Sequence, residues 1–197
     1  MLDKQKETTQ VLSPNQVIDK ILSGEQTTDP RFITNLKGVT VNEWLNLDKK
    51  TIPGPFLNLK GIIIKGAISL HRATIEGNFN LEEAVIESET ELIKAFVKGH
   101  LFFRKATFKG SLFLGNAVIE GGLFLDEAIL EGALDLQGAV IKGSISLATR
   151  KGPSKIYAYK DMADLIHWAA TTVPLIIGKE AEEFKGEDLT FLNLKPR

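Results

Sequence analysis

Residues 73–127 read ATIEGNFNLEE (73–83), AVIESETELIK (84–94), AFVKGHLFFRK (95–105), ATFKGSLFLGN (106–116) and AVIEGGLFLDE (117–127). Five consecutive eleven-residue segments share the pattern A-x-I-x-G-x-L-x-L-x-x. AILEGALDLQG (128–138) and AVIKGSISLAT (139–149) continue it, so alanine stands at 73, 84, 95, 106, 117, 128 and 139. Weaker copies precede: TIPGPFLNLKG from Thr51, IIIKGAISLHR from Ile62, and VTVNEWLNL from Val39 with the same apolar spacing. At unit positions 1, 3, 7 and 9 from Thr51 to Thr149, only Thr51, Pro53 and Thr90 are not plainly apolar. Apolar residues alternate within each half-unit, which is strand periodicity; a helix needs them three and four apart. Position 5 is glycine at 66, 77, 99, 110, 121, 132 and 143. A glycine recurring between two short strands marks a corner that a side chain would hinder. Short strands, corners and a fixed period define an all-β solenoid.

Charge sets the length of one coil. Position 4 reads Lys65, Glu76, Glu87, Lys98, Lys109, Glu120, Glu131, Lys142. One unit per coil would stack Glu76 on Glu87, and three would stack Glu87 on Glu120. Two units per coil make every neighbour opposite, as in Lys65–Glu87–Lys109–Glu131 and Glu76–Lys98–Glu120–Lys142. Lys60–Glu82–Arg104–Asp126 and Glu83–Lys105–Glu127 agree, and Arg72 with Lys94 is a like-charged exception. Adjacent strands lie ~4.8 Å apart, where stacked like charges repel. The expectation is 22 residues per turn, about 4.5 turns from Thr51 to Thr149, and a stack roughly 22 Å long.

The quintets ATIEG, AVIES, AFVKG, ATFKG, AVIEG, AILEG and AVIKG resemble the pentapeptide-repeat pattern A-(D/N)-L-x-G. FNLEE from Phe79 and LDLQG from Leu134 fit it loosely, with one extra residue between halves, a 5+1+5 unit. The resemblance implies a right-handed four-sided β-helix with the apolar residues inside. The second slot holds Thr, Val, Ile or Phe where the family has Asp or Asn. Some members of that family mimic DNA and act on bacterial gyrase through an acidic, DNA-shaped dimer. The alternating ladders here cancel locally and weaken that analogy.

The flanks predict caps. Ser13 is a helix N-cap, Pro14 takes the first helical position, and Gly24 is the stop. Val17, Ile18, Ile21 and Leu22 form one apolar face, suited to a lid over the first coil. Residues 1–12 are expected to be mobile. After Thr149 the repeat motif ends, and a second helix is expected over Lys160–Thr171, ended by Pro174. VPLIIG is assigned to capping the last coil, ahead of membrane insertion or dimerisation, and TFLNL near the end to pairing with an open sheet edge. The resulting organisation is 1–38 polar tail and capping helix, 39–149 β-helix, and 150–197 C-terminal helix and tail.

Composition narrows function. The chain of 197 residues is 43% hydrophobic and 25% charged, with 24 basic and 25 acidic residues and a net charge of −1. These values fit a folded domain and disfavour whole-surface attraction to nucleic acid or an anionic membrane. With no cysteine, disulfides and thiolate metal sites are excluded. The polar start MLDKQKETTQ is unlike a signal peptide, and no stretch has transmembrane length, so the expected address is the cytoplasm. No phosphate-binding loop, dinucleotide fingerprint or zinc-protease or serine-hydrolase motif is present. His71, His100 and His167 form no ligand pair. The period of eleven differs from the six of hexapeptide acyltransferases. No catalytic residue, metal or cofactor is assigned.

Position 8, flanked by inward positions 7 and 9, should face outward. It is polar or charged at Asn58, Ser69, Asn80, Glu91, Asp135 and Ser146, but aromatic at Phe102, Phe113 and Phe124. With 22 residues per turn, Phe102 stacks on Phe124 and Phe113 lies opposite. Position 2 is often β-branched or aromatic, and a face apolar at both positions would be sticky. Phe102, Phe124 and Phe113, with Trp168 of the C-terminal segment, are the candidate interface. The leading expectation is a non-enzymatic β-helix that binds another protein or itself. The alternatives are a DNA-mimicking gyrase-interacting protein and an accessory domain that docks on a membrane through residues 165–178.

Overall fold

The computed structural model describes residues 10–23, 36, 38–152, 156–159, 175–178 and 190–192. The chain winds as a four-sided β-solenoid of about 5 turns with about 22 residues per turn. Each side is a parallel sheet built from one short strand per coil. The first sheet holds Val39–Val41, Ile63–Ile64, Val85–Ile86, Thr107–Phe108 and Ile129–Leu130; the second holds Leu45–Asn46, Ile68–Ser69, Thr90–Glu91, Leu112–Phe113 and Leu134–Asp135. The third holds Thr51–Ile52, Thr74–Ile75, Phe96–Val97, Val118–Ile119 and Val140–Ile141; the fourth holds Phe56–Asn58, Asn78–Asn80, Leu101–Phe102, Leu123–Phe124 and Ile145–Ser146. Residues 22 apart are in register, as in Phe102 opposite Phe124. Hydrogen bonds tie coil to coil, for example Leu101 N–H to the Gly122 carbonyl at 2.8 Å.

Positions 1, 3, 7 and 9 fill one continuous apolar core, from the Ala73–Ala139 column to Phe79, Phe103 and Phe108. The ion-pair ladders follow the 22-residue spacing: Lys109–Glu87 at 2.9 Å, Lys142–Glu120 at 3.1 Å, Lys60–Glu82 at 3.0 Å, and Lys98–Glu76. Two kinds of corner close the coil. At position 5, coils pass so closely that a Cβ on Gly110 would lie 2.4 Å from the Ser88 carbonyl. At position 11 the backbone is left-handed, with φ of 56° to 59° at Lys49, Arg72, Glu83, Lys94, Lys105, Asn116 and Glu127, and also positive at Gly61 and Gly138.

Several expectations need correction. Thr51 and Ile52 pair with Thr74 and Ile75, whereas Phe56 pairs with Asn78. The Pro53-Gly54-Pro55 corner therefore carries one extra residue. Ile52, not Pro53, turns inward, and Thr51 is exposed at position 2. Position 8 points away from the core, yet Asn58, Ser69 and Asn80 are buried. Positions 2 and 8 lie on different sides of the coil, so no single face is apolar through both rows.

The ends also differ from expectation. Gln10–Leu12, expected to be mobile, is a strand parallel to Val39–Val41 that buries Leu12. The helix Pro14–Ser23 then buries Val17 and Ile21 and packs on Leu45–Asn46 and Thr51–Ile52, as a lid should. Ser13 caps it reciprocally: Gln16 N–H donates to Ser13 Oγ at 3.3 Å, and Ser13 N–H donates to Gln16 Oε1 at 2.9 Å. Beyond Thr149 the motif is gone but the register survives. Lys151 bridges Ile129, and Ile156–Tyr159 pairs with Leu134–Asp135 at the same 22-residue offset. Leu175–Gly178 then adds in parallel, and Thr190–Leu192 pairs antiparallel with it, the edge pairing expected of TFLNL. The expected helix over Lys160–Thr171, Gly24 and residues 1–9 lie outside the described residues.

Candidate interaction surface

The fourth sheet carries two outward rows along the solenoid. Asn58, Asn80, Phe102, Phe124 and Ser146 form the position 8 row. Phe56, Asn78, His100, Gly122 and Ser144 form the row beside it, at the corner. Phe102 and Phe124 stack with ring centroids 5.5 Å apart and 12° between planes. The column extends further than those two residues. The Phe56 ring reaches across the intervening coil to Phe102, at 6.2 Å and 6°. His100 lies beside both partners, 5.5 Å from Phe102 and 5.8 Å from Phe124.

Local chemistry fixes this cluster. Gly122 N–H donates to His100 Nδ1 at 2.8 Å, so the ring carries its proton on Nε2. His100 N–H donates to Asn78 Oδ1 at 2.8 Å. A Cβ on Gly122 would stand 3.0 Å from Phe124 Cζ and 2.4 Å from the Ser144 carbonyl. The missing side chain is what lets the Phe124 ring fold back over its own strand. At the N-terminal end, Asn80 donates its amide to Asn58 Oδ1 at 3.1 Å. Asn58 and Asn80 also accept the N–H groups of Lys60 and Glu82. The side chains of Asn58 and Asn80 are therefore satisfied internally, and Phe102 and Phe124 stay half-buried.

Charge borders the aromatic rows on both sides. One corner carries Glu76, Lys98, Glu120 and Lys142; the other carries Lys60, Glu82, Arg104 and Asp126. The Glu82 carboxylate bonded to Lys60 holds that ammonium above the usual lysine range. An uncharged aromatic centre with a charged rim is the ordinary anatomy of a protein interface.

The opposite, second sheet is different in character. Phe113 stands in register between Glu91 and Asp135, half-buried. Burial pushes the Asp135 carboxyl above its ordinary range, opposed by the Gln137 N–H it accepts at 2.9 Å. Ser69 Oγ lies 2.5 Å from Asp48 Oδ1 and 3.1 Å from Glu91 Oε2. The structure thus brings Phe102 and Phe124 together and leaves Phe113 on the far side. Trp168 lies outside the described residues. Phe56 and His100 are the members of the cluster that the sequence did not reveal.

Among the described residues no group of three His, Asp or Glu side chains could hold a metal ion, and no helix is long and apolar enough to cross a membrane. Comparison with protein-family models, with curated proteins and with solved structures finds no match.

Proposed function

We propose that this chain is a non-enzymatic scaffold of the pentapeptide-repeat type, in a 5+1+5 variant, and that the fourth sheet is its protein-binding face. The observation that carries this is the ordered column Phe56–Phe102–Phe124 with His100 against it. Aromatic side chains on an outward row are not needed by the core, which is already filled by positions 1, 3, 7 and 9. Tyr-, Trp- and Phe-rich centres ringed by polar groups are where binding energy concentrates. The alternating signs of both borders speak against an acidic, DNA-like stripe.

Photo-crosslinking in the native cell tests this directly. A benzoylphenylalanine in place of Phe124 should yield a protein adduct, and the same group in place of Phe113 should yield far less. Equal labelling at both positions, or none at Phe124, would overturn the assignment.

A further inference from the structure

We propose that the occupant of this face is a second copy of the chain, docked antiparallel about a two-fold axis passing between Phe102 and Phe124. The proposal rests on the interaction face assigned above and goes beyond it by naming the partner and its orientation.

Charge geometry selects both the partner and its orientation. A face-to-face dimer of identical chains is isologous, and its two-fold axis lies in the plane between the faces. An axis parallel to the solenoid sets each coil against the same coil of its mate and one border against the other. Glu76 would then face Glu82, Lys98 would face Arg104, and Glu120 would face Asp126 across the interface, repulsive at each of the three levels where both borders are charged. An axis perpendicular to the solenoid sets each border against itself, running the other way. Centred on a coil, it opposes Arg104 to Arg104 and Glu82 to Asp126, again like to like. Centred between the coils of Phe102 and Phe124, it opposes Arg104 to Asp126, Lys98 to Glu120 and Glu76 to Lys142, and every pair is attractive. The same placement lays Phe102 over Phe124 of the mate. Shifting the centre one coil towards the N-terminus keeps the charges complementary but sets Phe102 against Asn80. The stacked rings therefore select one register among those the charges allow.

The border that pairs Lys98 with Glu120 and Glu76 with Lys142 can reach across. The side chains of Glu76, Lys98, Glu120 and Lys142 are 34%, 46%, 40% and 58% exposed. In this register four of the five coils oppose one another, which at a spacing of ~4.8 Å makes a strip ~19 Å long. That is a small interface of the weak class, so association depends on concentration.

Sedimentation equilibrium over a wide concentration range provides the test, using wild type, Lys98→Glu and Glu120→Lys. Wild type should show a monomer–dimer equilibrium. Each single variant sets like charges against each other twice and should weaken self-association by about tenfold or more. An equimolar mixture of the two variants restores opposite charges at both contacts and should dimerise as wild type does. Thermal melts near that of wild type establish that both variants fold. Wild type that stays monomeric at every concentration overturns the proposal. So does tighter association of Lys98→Glu, the outcome a parallel dimer requires, or a mixture no better than either variant alone. The crosslinked adduct at position 124 separates the two assignments: an adduct of twice the chain's mass supports self-docking. A different mass sinks self-docking and leaves the binding face standing.

Discussion

Thr90 occupies an inward position 7 slot between Ile68 and Leu112, fully buried, and its hydroxyl has no hydrogen-bond partner. An orphaned buried hydroxyl costs about 1–3 kcal/mol, so Thr90→Val should stabilise the fold by about 1 kcal/mol. A urea midpoint at or below that of wild type would contradict this. Asp135 gives a signed pH dependence. Its folded pKa is raised by burial, so folding favours the protonated form. That contribution is complete below the unfolded aspartate pKa of about 4 and is lost as pH rises through the raised folded value. Asp135→Asn keeps the oxygen that accepts the Gln137 N–H and removes the charge. It should gain on wild type between pH 4 and pH 7 in denaturation midpoints, and a constant difference across that range would contradict the argument. At this scale the sequence marked Thr90 as the polar intruder and marked Phe102 and Phe124 as outward aromatics, because a fixed period assigns a direction to every residue. It did not mark Phe56, which keeps position 6 opposite Asn78, because its contact with Phe102 skips a coil and register alone does not show it. Nor could it mark His100, whose place depends on an N–H from the next coil.

The corners and the lid carry the predictions of the element scale. A Cβ on Gly110 would meet backbone, which cannot swing away as a side-chain tip can. Gly110→Ala should cost about 1–3 kcal/mol in chemical denaturation, as overpacking does; a neutral result would mean that the coils can spread. This corner was legible because glycine recurs there. The left-handed corner at position 11 was not, because only Gly61 and Gly138 announce it, while lysine, arginine, glutamate and asparagine adopt the same φ elsewhere. The energy of the coil-to-coil ladder overrides the local preference of about 1–2 kcal/mol against that conformation. The lid begins with a reciprocal cap, so Ser13→Ala should cost about 0.5–2 kcal/mol. Faster hydrogen exchange confined to Pro14–Ser23 and the coil beneath it is the expected signature; unchanged exchange would show that Val17 and Ile21 hold the lid alone. The strand Gln10–Leu12 went unread because three residues carry too little pattern to reveal the sheet edge they cover.

The architecture of the whole molecule was the most legible level, for a physical reason. Charges on adjacent coils interact at a distance set by strand spacing, so the order of signs encodes how many residues make a turn. The same register carries Ile156–Tyr159 after the motif has vanished, because backbone hydrogen bonds extend a sheet without requiring alanine or glycine. Alternation also leaves neither border with a run of like charge. What distinguishes one face from the other three is the aromatic column, and the account stands on that face being an interface. Light scattering on wild type and on the Phe102→Lys/Phe124→Lys double variant, each with a folded circular dichroism spectrum, tests this most directly. Wild type should be a dimer and the variant a monomer at the same concentration; a variant that dimerises as wild type does would contradict this assignment.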